Sequence, residues 1–230
     1  MNGDPDQAYP KSENGKPVAL EARGAEMDGR RFSPSVARNR DPILKVFREH
    51  VCTDGHVLEV ASGTGEHGAY LTEALTDLHW TYSDIDPESR TSQAAWRKSA
   101  AHDRLSGPLI LDASESDWGE AERPGHWDAI VSVNMIHIAP FEAALGLIAG
   151  AGRLLMPGGR LFLYGPFARD GDIALSNAAF SENLQARDPA WGVRDLDRQV
   201  VPMAEEVGLS VADILEMPAN NLSVVFRRQA

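Results

Sequence analysis

The chain has 230 residues, 43% of them hydrophobic and 24% charged, a composition typical of one globular domain with a full core. Its formal net charge of −12 argues against a broad nucleic-acid-binding surface, because binding phosphates requires clustered lysine and arginine. The single cysteine excludes an internal disulfide and a zinc site built from several thiolates, and we expect no metal ion.

Residues 1–22 are rich in Pro, Asp, Asn and Gly and lack hydrophobic periodicity, which predicts a flexible N-terminal tail. This leader does not resemble a secretory signal, and no apolar run reaches the roughly 18 residues of a membrane span. We therefore expect a cytoplasmic protein with no membrane partner, present as a monomer or homodimer. Residues 23–230 are predicted to form one domain, whose first helix begins with Asp41 as N-cap and Pro42 in the first turn.

A glycine-rich turn at residues 61–68 is the strongest signal in the chain. It follows a short apolar run, residues 57–60, that predicts a buried strand, and it leads into a predicted helix over residues 66–75. Glycines allow positive φ angles and the close approach of a ligand to the backbone. The start of a helix adds unpaired N–H groups. Together these features predict a nucleotide-type binding site.

Two kinds of nucleotide site fit this turn. The spacing of Gly63, Gly65 and Gly68 matches the G-x-G-x-x-G pattern of dinucleotide binders, with Asp84 about 20 residues further on. The same stretch resembles E-x-A-S-G-T-G, the first motif of class I S-adenosylmethionine-dependent methyltransferases. Glu59 favours the second interpretation, because a carboxylate inside a buried strand is costly unless it serves a polar ligand. A carboxylate also suits a sulfonium cation better than a pyrophosphate.

Strands and helices continue to alternate along the rest of the chain. Strands are predicted over residues 57–60, 79–83, 108–111, 127–133, 160–164, 209–216 and 222–227, and helices over 66–75, 87–101, 141–155, 176–185 and 195–207. This alternation predicts a doubly wound, Rossmann-like α/β fold. We expect a seven-stranded sheet that is mostly parallel, with an antiparallel last strand.

Acidic residues follow several of these strands. In an open α/β sheet, ligands bind beyond the carboxyl ends of the strands. Asp84 is placed to accept hydrogen bonds from two ribose hydroxyls, and Asp112, with Ala113 beside it, is placed to meet an adenine amino group. Trp118 offers a ring that could stack on adenine, although a core position is the simpler interpretation.

Asn134 and His137 follow the fourth predicted strand and are our predicted catalytic residues, His137 as a general base. A packing role for His137 is the alternative. Methyl transfer from a sulfonium needs no covalent intermediate, so aligning the acceptor in line with the methyl group can supply most of the effect.

From about residue 30 to 226 the chain resembles the DUF938 family, which includes the methyltransferase-like 26 proteins. The matching stretches are R-F-S-P-S-V-A-R-N-R-D-P-I-L from Arg31, L-E-V-A-S-G-T-G-E-H from Leu58, S-D-I-D from Ser83, N-M-I-H-I from Asn134, L-Y-G-P-F from Leu163, S-N from Ser176, D-P-A-W-G-V-R-D from Asp188 and E-M-P-A-N-N from Glu216. The resemblance implies a class I methyltransferase fold, with S-adenosylmethionine as cofactor and S-adenosylhomocysteine as product. It implies little about the substrate.

With this resemblance, two sets of ligand contacts are expected. The cofactor set is Arg31, Asn39, Glu59, Ala61, Gly63, Thr64, Gly65, His67, Asp84, Ile85, Asp112, Ala113 and Asn134, and the substrate set is Arg38, His137, Tyr164, Phe167, Asn177, Trp191 and Arg194. Residues 23–40 and 168–200 lie outside the strand–helix alternation and are expected to cover the substrate.

The leading hypothesis is therefore a methyltransferase that acts on a small molecule. Arginines such as Arg38 and Arg194 suit a carboxylate or another anionic group on that molecule, since guanidinium binds such groups bidentately. An NAD-type oxidoreductase and a non-catalytic S-adenosylmethionine-binding protein are the alternatives.

Overall fold

The computed structural model describes residues 24–25 and 28–229, so the predicted tail at residues 1–22 lies outside the described part of the chain. The centre of the fold is an eight-stranded sheet, in which the short strand Arg194–Asp195 pairs beside a continuous path of seven strands. The seven strands of this path are β1 (Asp54–Val60), β2 (Asp77–Asp84), β3 (Leu105–Ile110), β4 (Trp127–Val133), β5 (Leu155–Ala168), β6 (Leu209–Met217) and β7 (Asn221–Arg228). The main helices are α1 (Pro34–Val46), α2 (Glu66–Ala74), α3 (Pro87–Ser99), α4 (Phe141–Leu154), α5 (Leu175–Gln185) and α6 (Val201–Glu206).

The strands lie in the order β3-β2-β1-β4-β5-β7-β6. Neighbours from β3 to β5 pair in parallel, whereas β7 is antiparallel to both β5 and β6. The predicted mostly parallel, Rossmann-like sheet with an antiparallel last strand is confirmed. The order reverses between β1 and β4, and such a reversal opens a crevice at the carboxyl ends of the strands.

Two apolar clusters cover the two faces of the sheet. Side chains of β5 alternate between them, because successive residues of a strand point to opposite faces. Leu161 and Leu163 belong to the cluster that contains α4, and Phe162 and Tyr164 belong to the cluster that contains residues of α1 and α2. Among the described residues, no helix combines the length and the apolar character that crossing a membrane requires.

The first helix begins earlier than the sequence predicts. Ser33 precedes α1 and Pro34 occupies its first turn, so Pro42 lies inside the helix and Asp41 is not its N-cap. Both prolines suit a first helical turn, and the sequence pattern does not distinguish between them. Asp41 instead accepts a hydrogen bond from the Tyr70 hydroxyl of α2.

Strand β5 is longer than the predicted strand over residues 160–164. It begins at Leu155, directly after α4, and its register with β4 shifts between Trp127 and Ala129. Its far end pairs in parallel with the short strand Arg194–Asp195. The predicted helix over 195–207 is a π-helical turn, Leu196–Val200, followed by α6. The pairing with Arg194–Asp195 holds the segment after α5 near the carboxyl end of the sheet.

Helix α4 packs so closely that an added Cβ atom would clash at each of its three glycines, Gly146, Gly150 and Gly152. A Cβ atom at Gly150 would lie 2.2 Å from the Trp118 ring, and one at Gly146 would lie 1.9 Å from the Ala113 carbonyl oxygen. Both distances are far below van der Waals contact. The ring of Trp118 is therefore fixed under α4, in the core.

We expect Gly150→Ala to lower the free energy of unfolding by about 1–3 kcal/mol, the usual cost of overpacking a core. Leu145→Ala is the matched control on the same helix, because Leu145 is 44% exposed and its truncation should cost no more than about 0.5 kcal/mol. Denaturant titration of the two variants measures the difference. Equal stabilities would show that α4 can move away from Trp118 at little cost.

Candidate functional site

A cleft of about 1110 Å³ opens at the carboxyl ends of the strands, and a smaller cavity of about 300 Å³ adjoins it. The two share Ala61, Ile85, Met135 and Ala139 in their walls. Thirteen of the predicted ligand contacts line the larger cleft, namely Arg31, Arg38, Asn39, Glu59, Ala61, Gly63, Thr64, His67, Asp84, Ile85, Asn134, Asn177 and Trp191. Asp112 and Ala113 line the smaller cavity.

The glycine-rich turn joins β1 to α2 at the edge of the cleft. Ala61 and Gly63 adopt positive φ angles of 60° and 54°, a conformation that is strained for alanine and natural for glycine. The Ser62 N–H donates to the Ser83 carbonyl at 2.8 Å, which ties the turn to the end of β2. The backbone at Ala61 and Gly63 is thereby held open to the cleft.

Asp84 connects this turn to the start of α3. Its Oδ2 accepts the N–H of Gly63 at 2.9 Å and the side-chain amide of Gln93 at 3.3 Å. Its Oδ1 accepts the N–H of Asp86 at 2.9 Å. The carboxylate is buried yet lines the cleft. It is placed both to shape the turn and to accept hydrogen bonds from a ligand.

Glu59 is the most buried carboxyl group at the cleft, with 1% of its surface exposed. Its Oε2 accepts the indole N–H of Trp80 at 3.0 Å. Burial raises the pKa of Glu59 from 4.5 to about 8, and the nearby Asp84 charge acts in the same direction. A cation in the cleft would favour the ionised form by the opposite effect.

The smaller cavity is mainly apolar and suits a flat ring. Val60, Leu111, Ala113 and Met135 contribute to its walls. Ile85, which is 59% exposed, lies at the junction with the larger cleft. Asp112 follows the end of β3 and lines this cavity. Its Oδ1 accepts hydrogen bonds from both the N–H and the hydroxyl of Ser114.

A chain of buried polar groups lies beneath the larger cleft. Nε2 of His67 lies 2.9 Å from Oδ1 of Asn39, and because that oxygen only accepts, the ring nitrogen donates. The Asn39 side chain also hydrogen-bonds to Tyr164. Burial lowers the pKa of His67 to about 4, so its ring is neutral near pH 7. The fully paired network holds α1 against the floor of the cleft.

His137 does not lie at the cleft. Its side chain is fully buried, its Nδ1 accepts the Arg194 N–H at 3.3 Å, and its ring packs edge-on against Phe167 at 4.8 Å. Burial lowers its pKa to about 3. A general base must reach the proton that it removes, and in this structure His137 is packed away from the cleft. This position favours the packing role, and the catalytic and substrate roles of His137 stay predictions.

The side chain of Arg194 forms its contacts within the protein. Its guanidinium donates to the carbonyl oxygens of Ile136 at 2.9 Å, Ala139 at 2.8 Å and Ala190 at 2.9 Å. It lies over the ring of Phe141 at 5.3 Å. These bonds attach the segment after α5 to the turn after β4 and give Arg194 a structural role. The substrate contact of Arg194 stays a prediction.

Four further residues do not line the cleft. Tyr164 and Phe167 are buried side chains of β5, and Trp118 lies in the core under α4 rather than over an adenine ring. Gly65 faces α3, where an added Cβ atom would lie 3.2 Å from Gln93 and Trp96. Gly65 therefore allows the turn to pack closely on α3, and its contact with the cofactor stays a prediction.

The structure adds cleft residues that the sequence analysis missed. Phe180 and Arg187 come from α5 and the loop after it, and Ala219 and Asn221 come from the hairpin between β6 and β7. The side-chain amide of Asn177 donates to the Asn220 carbonyl at 2.8 Å, which joins this hairpin to α5. The sequence signals for this wall were the predicted cover over residues 168–200 and the E-M-P-A-N-N stretch from Glu216.

Comparisons with known proteins agree with this geometry. A family model described as "Protein of unknown function (DUF938)" matches residues 30–228. The ubiquinone biosynthesis O-methyltransferase of Thiobacillus denitrificans is 27% identical over 180 residues, which are 76% of this chain and 72% of that protein.

Solved structures share the fold. An O-methyltransferase family protein from Burkholderia thailandensis matches with a TM-score of 0.70 and 17% identity, over 85% of this chain and 58% of that one. Human N-acetylserotonin methyltransferase in complex with SAM matches with a TM-score of 0.68 and 14% identity, over 85% and 53%. The present chain therefore spans little more than half the length of these two proteins.

We expect Arg194 to stabilise the fold through its contacts within the protein. Arg194→Ala removes charge-assisted hydrogen bonds to three carbonyl groups and should lower the free energy of unfolding by about 1.5–3 kcal/mol. Arg198→Ala is the control, because Arg198 is an exposed neighbour that does not contact this turn and should change stability by no more than about 0.5 kcal/mol. Thermal unfolding of both variants measures this, and an unchanged melting temperature in Arg194→Ala would contradict the role.

Glu59 makes the stability of the fold depend on pH. Its folded pKa of about 8 exceeds the ordinary value of 4.5, so the folded chain binds an extra proton between these values. The contribution of Glu59 to the free energy of unfolding is fully present below about pH 4.5 and decreases as the pH rises toward about 8. Glu59→Gln should flatten this part of the profile, measured by denaturant unfolding across the interval. A profile identical to that of the unaltered chain would show that Glu59 is ionised throughout.

Proposed function

The chain belongs to the DUF938 family, and we propose that it transfers the methyl group of S-adenosylmethionine to a small molecule that carries an anionic group. The methyltransferase fold, the methyltransferase relatives and the SAM complex of human N-acetylserotonin methyltransferase support the activity and the cofactor. The observation that carries the proposal is the pairing of an apolar cavity with an acid-lined cleft at the reversal of strand order.

The residues present fit the three parts of the cofactor. The apolar cavity would hold the adenine ring, and Ile85 and Asp112 are the lining residues that would contact it. Asp84 suits the ribose hydroxyls. The buried carboxyl group of Glu59 would suit the ammonium group of the amino acid end. Gly63 lines the cleft beside it, with its N–H bonded to Asp84 and its carbonyl to Gln93.

When bound, the cofactor supplies an electrophilic methyl group on a sulfonium. The protein needs to hold the acceptor in line with that group and to exclude water, which together can supply most of the rate effect. Asn134 is the residue best placed for this task, because it lines the cleft at the end of β4 with a strained φ angle of 64°. It would orient the acceptor by hydrogen bonds, and no general base from His137 is required.

The sheet argues against the NAD-type alternative. Dinucleotide-binding sheets have the order 3-2-1-4-5-6 with parallel strands, whereas here the antiparallel β7 lies between β5 and β6. A non-catalytic role predicts cofactor binding without turnover of any acceptor.

The proposed anionic group on the acceptor rests on the arginines at the cleft. Arg31 forms an ion pair with Glu88 at 3.1 Å, so the carboxylate of Glu88 offsets the charge of Arg31. Arg38, on the exposed side of α1, lines the same cleft and brings a positive charge toward the acceptor. Guanidinium groups match carboxylates and phosphates in geometry and charge.

Calorimetry with S-adenosylhomocysteine and with NAD⁺ tests the cofactor assignment. We expect S-adenosylhomocysteine to bind and NAD⁺ not to bind. Asp84→Asn removes the charge that faces the ribose and should weaken S-adenosylhomocysteine at least about tenfold, which is 1.4 kcal/mol. Asp117→Asn, an exposed aspartate outside the cleft, is the matched control.

Preference for NAD⁺ would overturn the methyltransferase proposal. Unchanged affinity in a folded Asp84→Asn variant would place the ribose elsewhere, with Asp86 as the next acidic side chain along the cleft.

A further inference from the structure

Acidic and basic side chains both line the larger cleft. The acidic region consists of Asp84, Asp86 and Glu88, contributed by the end of β2 and the start of α3. The basic region consists of Arg38, from α1, and Arg187, from the loop after α5. The cationic end of S-adenosylmethionine suits the acidic region. The basic region is thereby left to the second ligand, and its charge favours an anion.

The basic region also contains two aromatic side chains. Phe180 and Trp191 are half-buried and line the cleft together. The guanidinium carbon of Arg187 lies 5.5 Å from the centre of the Trp191 ring, a cation–π distance. The guanidinium of Arg187 therefore lies over one face of the indole ring, so a positive charge and an aromatic ring occur together in this part of the cleft.

The position of Trp191 is fixed by the backbone around it. Its N–H donates to the Asp188 carbonyl at 3.0 Å, and the N–H of the following Gly192 donates to the His137 carbonyl at 2.9 Å. The guanidinium of Arg194 donates a further hydrogen bond to the Ala190 carbonyl at 2.9 Å. The loop is thus anchored to the turn after β4, so the backbone that carries Trp191 is held at a set place relative to Asn134.

The available volume allows a second ligand with a ring. A pocket for a drug-sized molecule measures about 300–1,000 Å³. The larger cleft measures about 1110 Å³ and the adjoining cavity about 300 Å³. With adenine in the smaller cavity, the larger cleft has room for the rest of the cofactor and for a compact acceptor.

From these observations we propose that the methyl acceptor is an aromatic acid, with its ring against Trp191 and its carboxylate held by Arg187 and Arg38. This inference rests on the proposed function and names the class of its substrate. The indole face provides stacking that an aliphatic acid cannot match. The guanidinium groups provide charge-assisted hydrogen bonds that a neutral amide cannot match.

Three simple probes separate these two contributions, namely benzoate, benzamide and cyclohexanecarboxylate. Each is titrated into the protein by calorimetry or ligand-observed NMR, with and without saturating S-adenosylhomocysteine. We expect benzoate to bind at least about tenfold more tightly than benzamide, and also more tightly than cyclohexanecarboxylate. Benzamide binding equal to benzoate would overturn the role of the arginines, and equal binding of cyclohexanecarboxylate would overturn the role of the ring.

Two variants locate the site. Arg187→Gln and Trp191→Leu should each weaken benzoate at least about fivefold while S-adenosylhomocysteine affinity stays within about twofold. Arg123→Gln is the matched control, because Arg123 makes a similar cation–π contact with Trp127 at 5.9 Å, outside the cleft. It should leave benzoate affinity unchanged.

The outcomes distinguish the two proposals. Absence of saturable benzoate binding below about 10 mM, with S-adenosylhomocysteine bound, overturns the aromatic-acid proposal and leaves the cofactor assignment intact. Failure of S-adenosylhomocysteine to bind overturns the proposed function instead. In that case the titration of benzoate into the free protein still decides whether Arg187 and Trp191 form an anion site.

Discussion

The carboxylate of Asp84 is the interaction on which the cleft depends. It accepts hydrogen bonds from the backbone of Gly63 and Asp86 and from the side chain of Gln93, so three separate segments meet at one group. Hydrogen bonds to an ionised acceptor are stronger than those between neutral groups. The turn after β1 and the start of α3 are therefore held at one spacing, and that spacing sets the width of the cofactor end of the cleft.

Several features that cost free energy occur together at the cleft, and the rest of the fold must stabilise them. Ala61, Asn134 and Ala219 all line it with positive φ angles, and each such angle costs free energy in a residue that has a Cβ atom. Glu59 adds a carboxyl group that burial keeps protonated, with a pKa of about 8. Strain and buried polar groups collect at functional sites because a ligand can offset their cost there, and their presence at the same edge of the sheet supports the proposed function.

The segment after α5 links the cofactor half of the molecule to the basic region. His137 and Arg194 attach this segment to the turn after β4 by backbone and side-chain hydrogen bonds. Substituting either one would move Trp191 as well as the turn that carries Asn134. A loss of activity in such a variant would therefore report on the position of both walls, and it would not by itself identify a catalytic group.

Local patterns in the sequence determined the sheet, the glycine-rich turn and the cofactor end of the site. The residues that define these features are close neighbours in the chain. Hydrophobic runs predict the strands, and Glu59, Asp84 and Asp112 lie at or just beyond the ends of those runs. Tertiary structure alone decided three other points: the start of α1, the burial of His137 and the three carbonyl contacts of Arg194. A residue's type specifies which hydrogen bonds it can form, but its burial depends on which distant segments pack against it. For His137 those segments are β5 and the strand Arg194–Asp195, whose pairing joins residues far apart in the chain and leaves no local pattern in the sequence.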